Sequence, residues 1–114
     1  MADRGEILRL KRRLGFAAKG EAESVVVVQA SPLNAVLPTT VVVPLHPATT
    51  EYAGHPIAIR VSRREAGSSV DHVAINWGVR AVSSDAFAPG PVGRLEPATL
   101  NALEDAIKLV LGLR

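Results

Sequence analysis

A chain of 114 residues and 12.0 kDa, 47% hydrophobic and 21% charged, has the size and composition of one globular domain, taken as 1–114, and not of a disordered tail or fibrous repeat. Cysteine is absent, which excludes disulfides, thiolate metal sites, iron–sulfur clusters and a cysteine nucleophile. No apolar run approaches the roughly 20 residues of a membrane span, and the opening MADRGEILRLKRRLGF lacks a signal-peptide core, so a cytoplasmic protein with no membrane partner is expected.

The formal charge of +2 is unevenly distributed. Arg4, Arg9, Lys11, Arg12, Arg13 and Lys19 face a single nearby acid, Glu6, while the remaining chain is net acidic. This asymmetry suits a phosphate-rich partner, and it equally describes a solvated basic loop.

In chain order, the β-branched runs Val25 to Val28 and Val41 to Val43 predict two strands buried on both faces. Ser31-Pro32-Leu33-Asn34 and Leu37-Pro38 place a loop between them. Ile57, Ile59 and Val61 alternate with Ala58, Arg60 and Ser62, as in a strand with one wet face. Arg63-Arg64-Glu65 reads as a solvated loop, and Val70 to Val82 as one or two strands with a bulge or turn at Gly78. From Pro97 the period becomes helical, through Leu100, Leu103, Ile107, Val110 and Leu111, with Gly112 past the end. Short strands followed by one covering helix predict a mainly β (α+β) fold, a small barrel with a helical cap. A mean hydropathy of +0.20 exceeds what one small core needs and predicts a homodimer.

Phosphate-binding glycine loops and the HExxH pattern are absent from the sequence, and His46, His55 and His72 lack ligand-type spacing, so neither a metal nor a cofactor is expected. Asp71 and His72 are neighbours on a strand and point to opposite faces, which argues against a dyad. His46 follows a buried strand and precedes Pro47; it is either a proton carrier at a groove or a surface strand end. Trp77, set between Asn76 and Gly78, either stacks a nucleobase together with Asn76 or fills the core or an interface. Arg12 and Arg13, near Phe16 and Lys19, are the candidate phosphate contacts.

The order of the segments Arg4-Gly5-Glu6-Ile7, VVVVQ, TTVVVPL, Asp71 to Ala74, Gly78 to Val82 and Gly93-Arg94-Leu95-Glu96-Pro97 with its helix resembles the MazF/PemK toxins of bacterial type II toxin–antitoxin systems over nearly the whole chain. The resemblance implies an SH3-like barrel of the CcdB/PemK kind and a homodimer. It further implies metal-independent cutting of single-stranded RNA at short sequences, and inhibition by a cognate antitoxin. The ribose 2′-hydroxyl would attack the adjacent phosphorus, leaving a cyclic phosphate and a free 5′-hydroxyl. That reaction needs a proton acceptor, a cation and a proton donor.

The chain departs from the family at two positions that carry the chemistry. The family writes a catalytic Arg-Pro before the VVVVQ strand, where this chain has Glu23-Ser24, and a threonine or serine where this chain has His46. Two accounts follow: Glu23 and His46 move protons while Lys19 or Arg13 supplies charge, or cleavage is lost and the chain binds RNA or antitoxin without cutting. Kinship with CcdB-type toxins adds a third, binding to DNA gyrase.

Overall fold

The computed structural model describes residues 2–17 and 23–113. Its spine is β3 (Thr39–Pro47), which pairs with β2 (Ser24–Val27) along one edge. On its other edge β3 is shared by two strands, β6 (Arg80–Ser83) beside its first half and β5 (His72–Ile75) beside its second. Outside these, β1 (Glu6–Arg9) lies between β2 and β7 (Gly93–Arg94), and β4 (Ala58–Val61) pairs with β5. All the described pairings are antiparallel, and the sheet curls into a half-barrel capped by the C-terminal helix, in line with the mainly β (α+β) small-barrel fold expected from the sequence.

The two valine runs are buried on both faces because the sheet has a core on each side. Ile7, Val26, Val43, Leu45, Ala74 and Leu103 form one core; Leu8, Val25, Val27, Val42 and Val82 form the other. Over the first core lies α3 (Pro97–Leu111), with Leu103 and Ala106 buried and Leu100 and Ile107 packed beside them. Its limits match its punctuation: Pro97 in the first turn needs no N–H partner, and Gly112 at φ +70° closes the last turn through Leu109 and Lys108 carbonyls. Leu109 and Leu111 stay exposed. The expected turn at Gly78 is a 3₁₀ turn, Asn76–Gly78, joining β5 to β6. A Cβ at Gly78 would sit 3.0 Å from Pro44 Cγ, so glycine lets the turn close on β3.

Two predicted loops are short helices, α1 (Ser31–Asn34) and α2 (Arg63–Ala66). The α2 segment corrects the reading of Arg63-Arg64-Glu65 as solvated. Ser62 and Glu65 form a reciprocal capping box, and Glu65 is buried, where its carboxylate also accepts from the Glu96 N–H at 2.8 Å. Arg63 and Arg64 do face solvent. The α2 turn packs against β7 so closely that a Cβ at Gly93 would lie 1.9 Å from the Glu65 carbonyl oxygen. Gly93→Ala is therefore expected to cost about 1–3 kcal/mol, read as a lowered denaturation midpoint with an unchanged m-value.

Candidate functional site

Alternation along β3 sends Val42, Pro44 and His46 to one face of the sheet and Val43, Leu45 and Pro47 to the other. His46, half-buried near the strand end, thus shares its face with Val42, and through the Val42–Arg80 pair with Arg80. Four rings line up around it. The Phe16 centroid lies 5.4 Å from His46, Tyr52 lies 6.4 Å away on the other side, and Trp77 is 5.7 Å from Tyr52 in edge-to-face contact. His55 continues the row, 4.6 Å from Trp77. Trp77 is 39% and Tyr52 42% exposed, so the lone tryptophan does not fill the core; it presents part of its ring to solvent.

Positive charge adjoins this row. The Arg80 guanidinium carbon stands 5.6 Å from the Phe16 ring centroid, a cation–π arrangement, and its Nε donates to the Gly78 carbonyl. Arg80, Lys11 and Arg12 line one groove of about 660 Å³, with Asp85 as its acid. Arg13 donates through Nη2 to the Ala17 carbonyl at 2.6 Å, which ties it to the fold of its own loop. Lys19 lies outside the described residues.

Two sequence expectations are corrected by burial. Glu23 is 1% exposed, and its carboxylate accepts backbone N–H bonds from Leu14, Gly15 and Ala17, the last two at 2.9 and 2.8 Å. Burial opposes its charge, but the N–H groups of Ala17, Leu14, Phe16 and Gly15 outweigh it and hold the carboxyl below the ordinary glutamate range. A carboxylate stabilised in this way is an anchor for residues 14–17 and not a proton donor facing RNA. Asn76 is likewise sealed from a ligand: it is fully buried, and its Nδ2 donates to the Ile57 carbonyl at 2.5 Å.

Asp71 and His72 diverge as the alternation requires. Asp71 accepts from the Arg63 backbone N–H and pairs with Arg60 and Arg63, which together keep its carboxyl below the usual range, whereas His72 Nδ1 donates to the Val70 carbonyl. No group of three or more His, Cys, Asp or Glu side chains arranged to hold a metal occurs among the described residues, and no described helix is long and apolar enough to cross a membrane.

Tyr52, His55 and Arg80 were not assigned to the site from the sequence. The available signal was weak: Tyr52 is the sole tyrosine, and Arg80 is a charged residue inside an apolar strand.

No curated protein matches the chain by sequence. Among solved structures it resembles an endoribonuclease in complex with its cognate antitoxin from Mycobacterial species, at 22% identity and TM-score 0.77, covering 100% of this chain and 98% of that one. It also resembles the Mycobacterium tuberculosis toxin MazF-mt6, at 16% identity and TM-score 0.76, covering 96% and 98%. A third similar structure is MazE-MazF from Deinococcus radiodurans, at 15% identity and TM-score 0.78, covering 99% and 98%. At these identities the likeness shows the fold. The family model of the PemK-like, MazF-like toxins matches residues 3–111, and on that match the chain belongs to this family of type II toxin–antitoxin toxins.

Proposed function

We propose that the protein is an endoribonuclease that cuts single-stranded RNA without a metal, with His46 as its proton-transfer group. The observation that carries this reading is the position of His46 between Phe16 and Tyr52 in a partly exposed row of rings, beside a groove lined by Arg80, Arg12 and Lys11. Rings that accept stacked bases and cations that follow the backbone are the two requirements of single-strand binding. At a bound phosphodiester, His46 takes the ribose 2′ proton as the 2′ oxygen attacks phosphorus. The P–O5′ bond breaks, the imidazolium returns the proton to the 5′ oxygen, and a 2′,3′-cyclic phosphate and a 5′-hydroxyl remain. Arg80 is the cation best placed to offset charge on the phosphorane, because its guanidinium is anchored over the ring that neighbours His46. Incubation with end-labelled RNA in chelator, followed by analysis of the new ends, tests the reading. Intact RNA across varied sequences favours the non-cleaving alternative.

Affinity and salt dependence separate the row of rings from the basic groove. Trp77→Ala or Tyr52→Ala is expected to weaken RNA binding by about 1–3 kcal/mol for each base stack lost, and the single tryptophan provides its own fluorescence signal in the wild type. Arg12→Ala and Arg80→Ala should each flatten the log–log salt slope by about 0.7, the single-strand value per phosphate contact. An unchanged slope in both would place the backbone path elsewhere.

The reading includes a homodimer and a cognate antitoxin. Leu33, Leu37 and Val36 near α1, and Leu109 and Leu111 at the end of α3, leave apolar surface for such contacts. Light scattering that shows only monomer at micromolar concentration counts against the dimer.

A further inference from the structure

A cavity of about 250 Å³ opens on the face of the sheet opposite His46. Strand register builds it. Arg9 on β1 pairs with Ser24 on β2, Pro47 on β3 pairs with His72 on β5, and Leu45 and Pro47 point to this side while His46 between them points away. The segment after α2 closes it with Ser68, and Leu45 and Ala66, both buried, make its apolar floor.

The polar atoms turned to this space share one property. The Arg9 guanidinium makes no hydrogen bond or ion pair with any described residue. Ser68 Oγ accepts from the Val70 N–H at 3.3 Å, which leaves its own O–H to donate. His72 Nδ1 lies 3.0 Å from the Val70 carbonyl, which can only accept; Nδ1 therefore carries a proton, and in the imidazolium Nε2–H is a second donor. Ser24 adds a further hydroxyl. Among the described residues no carboxylate lines the cavity, and adjacent Asp71 is held by Arg60 and Arg63. Donors converging from β1, β2, β5 and the α2–β5 connection suit a tetrahedral oxyanion, and a low-dielectric floor strengthens each bond to it.

We propose that this cavity binds the phosphate group of a nucleotide, with Arg9 and His72 as its charged contacts. The assignment stands on these donors whether or not His46 cuts RNA. If the partner is an RNA strand, it passes around the end of β3, with one phosphate beside His46 and another in the cavity.

The His72 ring resonances of the full-length protein read the site directly. Three probes are titrated: inorganic phosphate, uridine 3′-monophosphate and a single-stranded RNA hexamer. A saturable shift of the His72 signals is expected, and Arg9→Ala should raise the dissociation constant about tenfold or more, since the lost bonds are charge-assisted. Arg9 is exposed, so this variant keeps the fold. Saturation by inorganic phosphate or the mononucleotide identifies a free phosphate as sufficient; a response to the hexamer alone identifies an internal phosphate of a strand. A His72 signal that none of the probes moves, or a dissociation constant unchanged in Arg9→Ala, overturns the proposal. Cleavage assays on the same samples report on the His46 reading separately.

Discussion

His46→Ala is expected to lower RNA cleavage by roughly 10²- to 10⁴-fold in single-turnover assays, the usual cost of losing a general acid or base. The fold should survive, because the backbone pairing of this position with Val73 is kept in the variant. RNA affinity should fall far less than the rate, since Trp77, Tyr52 and the Arg12–Arg80 groove remain. A proton-transfer role also predicts that the wild-type rate depends on pH and that the residual rate of the variant loses that dependence. If the variant cuts as fast as the wild type, the row of rings is a binding surface and the proton carrier lies elsewhere.

Glu23→Ala should act on stability first. It removes the charged acceptor from the N–H groups of Leu14, Gly15 and Ala17, and each hydrogen bond to a charged group contributes about 1.5–3 kcal/mol. A total loss of about 3 kcal/mol or more follows, a fall in Tm of roughly 10 °C or more for a domain of this size. RNA binding should weaken with it, because the same segment carries Phe16. Glu23→Gln retains one carbonyl oxygen but aims an amide donor at other donors, so an intermediate loss is expected.

The same carboxylate gives a signed dependence on pH. Its folded-state pKa lies below its unfolded value, so its contribution is fully present above the ordinary glutamate pKa of roughly 4.3 and is lost as pH falls through the lower folded value. Acid titration of stability should therefore be shallower in Glu23→Gln than in the wild type below about pH 4.3. Equal melting of Glu23→Ala and wild type would remove the anchoring role.

Much of the fold was legible before any coordinates. The valine runs read as strands buried on both faces because β-branched side chains leave few polar positions to face water, and both cores bear this out. Pro97 and Gly112 delimit α3 through local backbone chemistry alone. The capping box of α2 was also local, Ser62 followed three residues later by Glu65, yet it was hidden by the adjacent arginines. By contrast β7 is two residues long and is ordered only by its pairing with β1 and its contact with α2, neither of which a short window of sequence contains.

The site divides along the same line. Sequence by itself determined the family, the strand that carries His46 and the presence of an acid at position 23, because segment order and residue identity require no third dimension. Tertiary structure decided what each of them does. Glu23 became an anchor when residues 14–17 folded over it, Asn76 was sealed under Ile57, and Phe16, Tyr52 and Trp77 came from distant segments to stand in one row with His46. Arg9 and His72 likewise meet only through strand register. Burial, hydrogen-bond partners and the face on which a side chain emerges are properties of the packed sheet, and they decide whether a charged residue meets solvent, a ligand or the backbone.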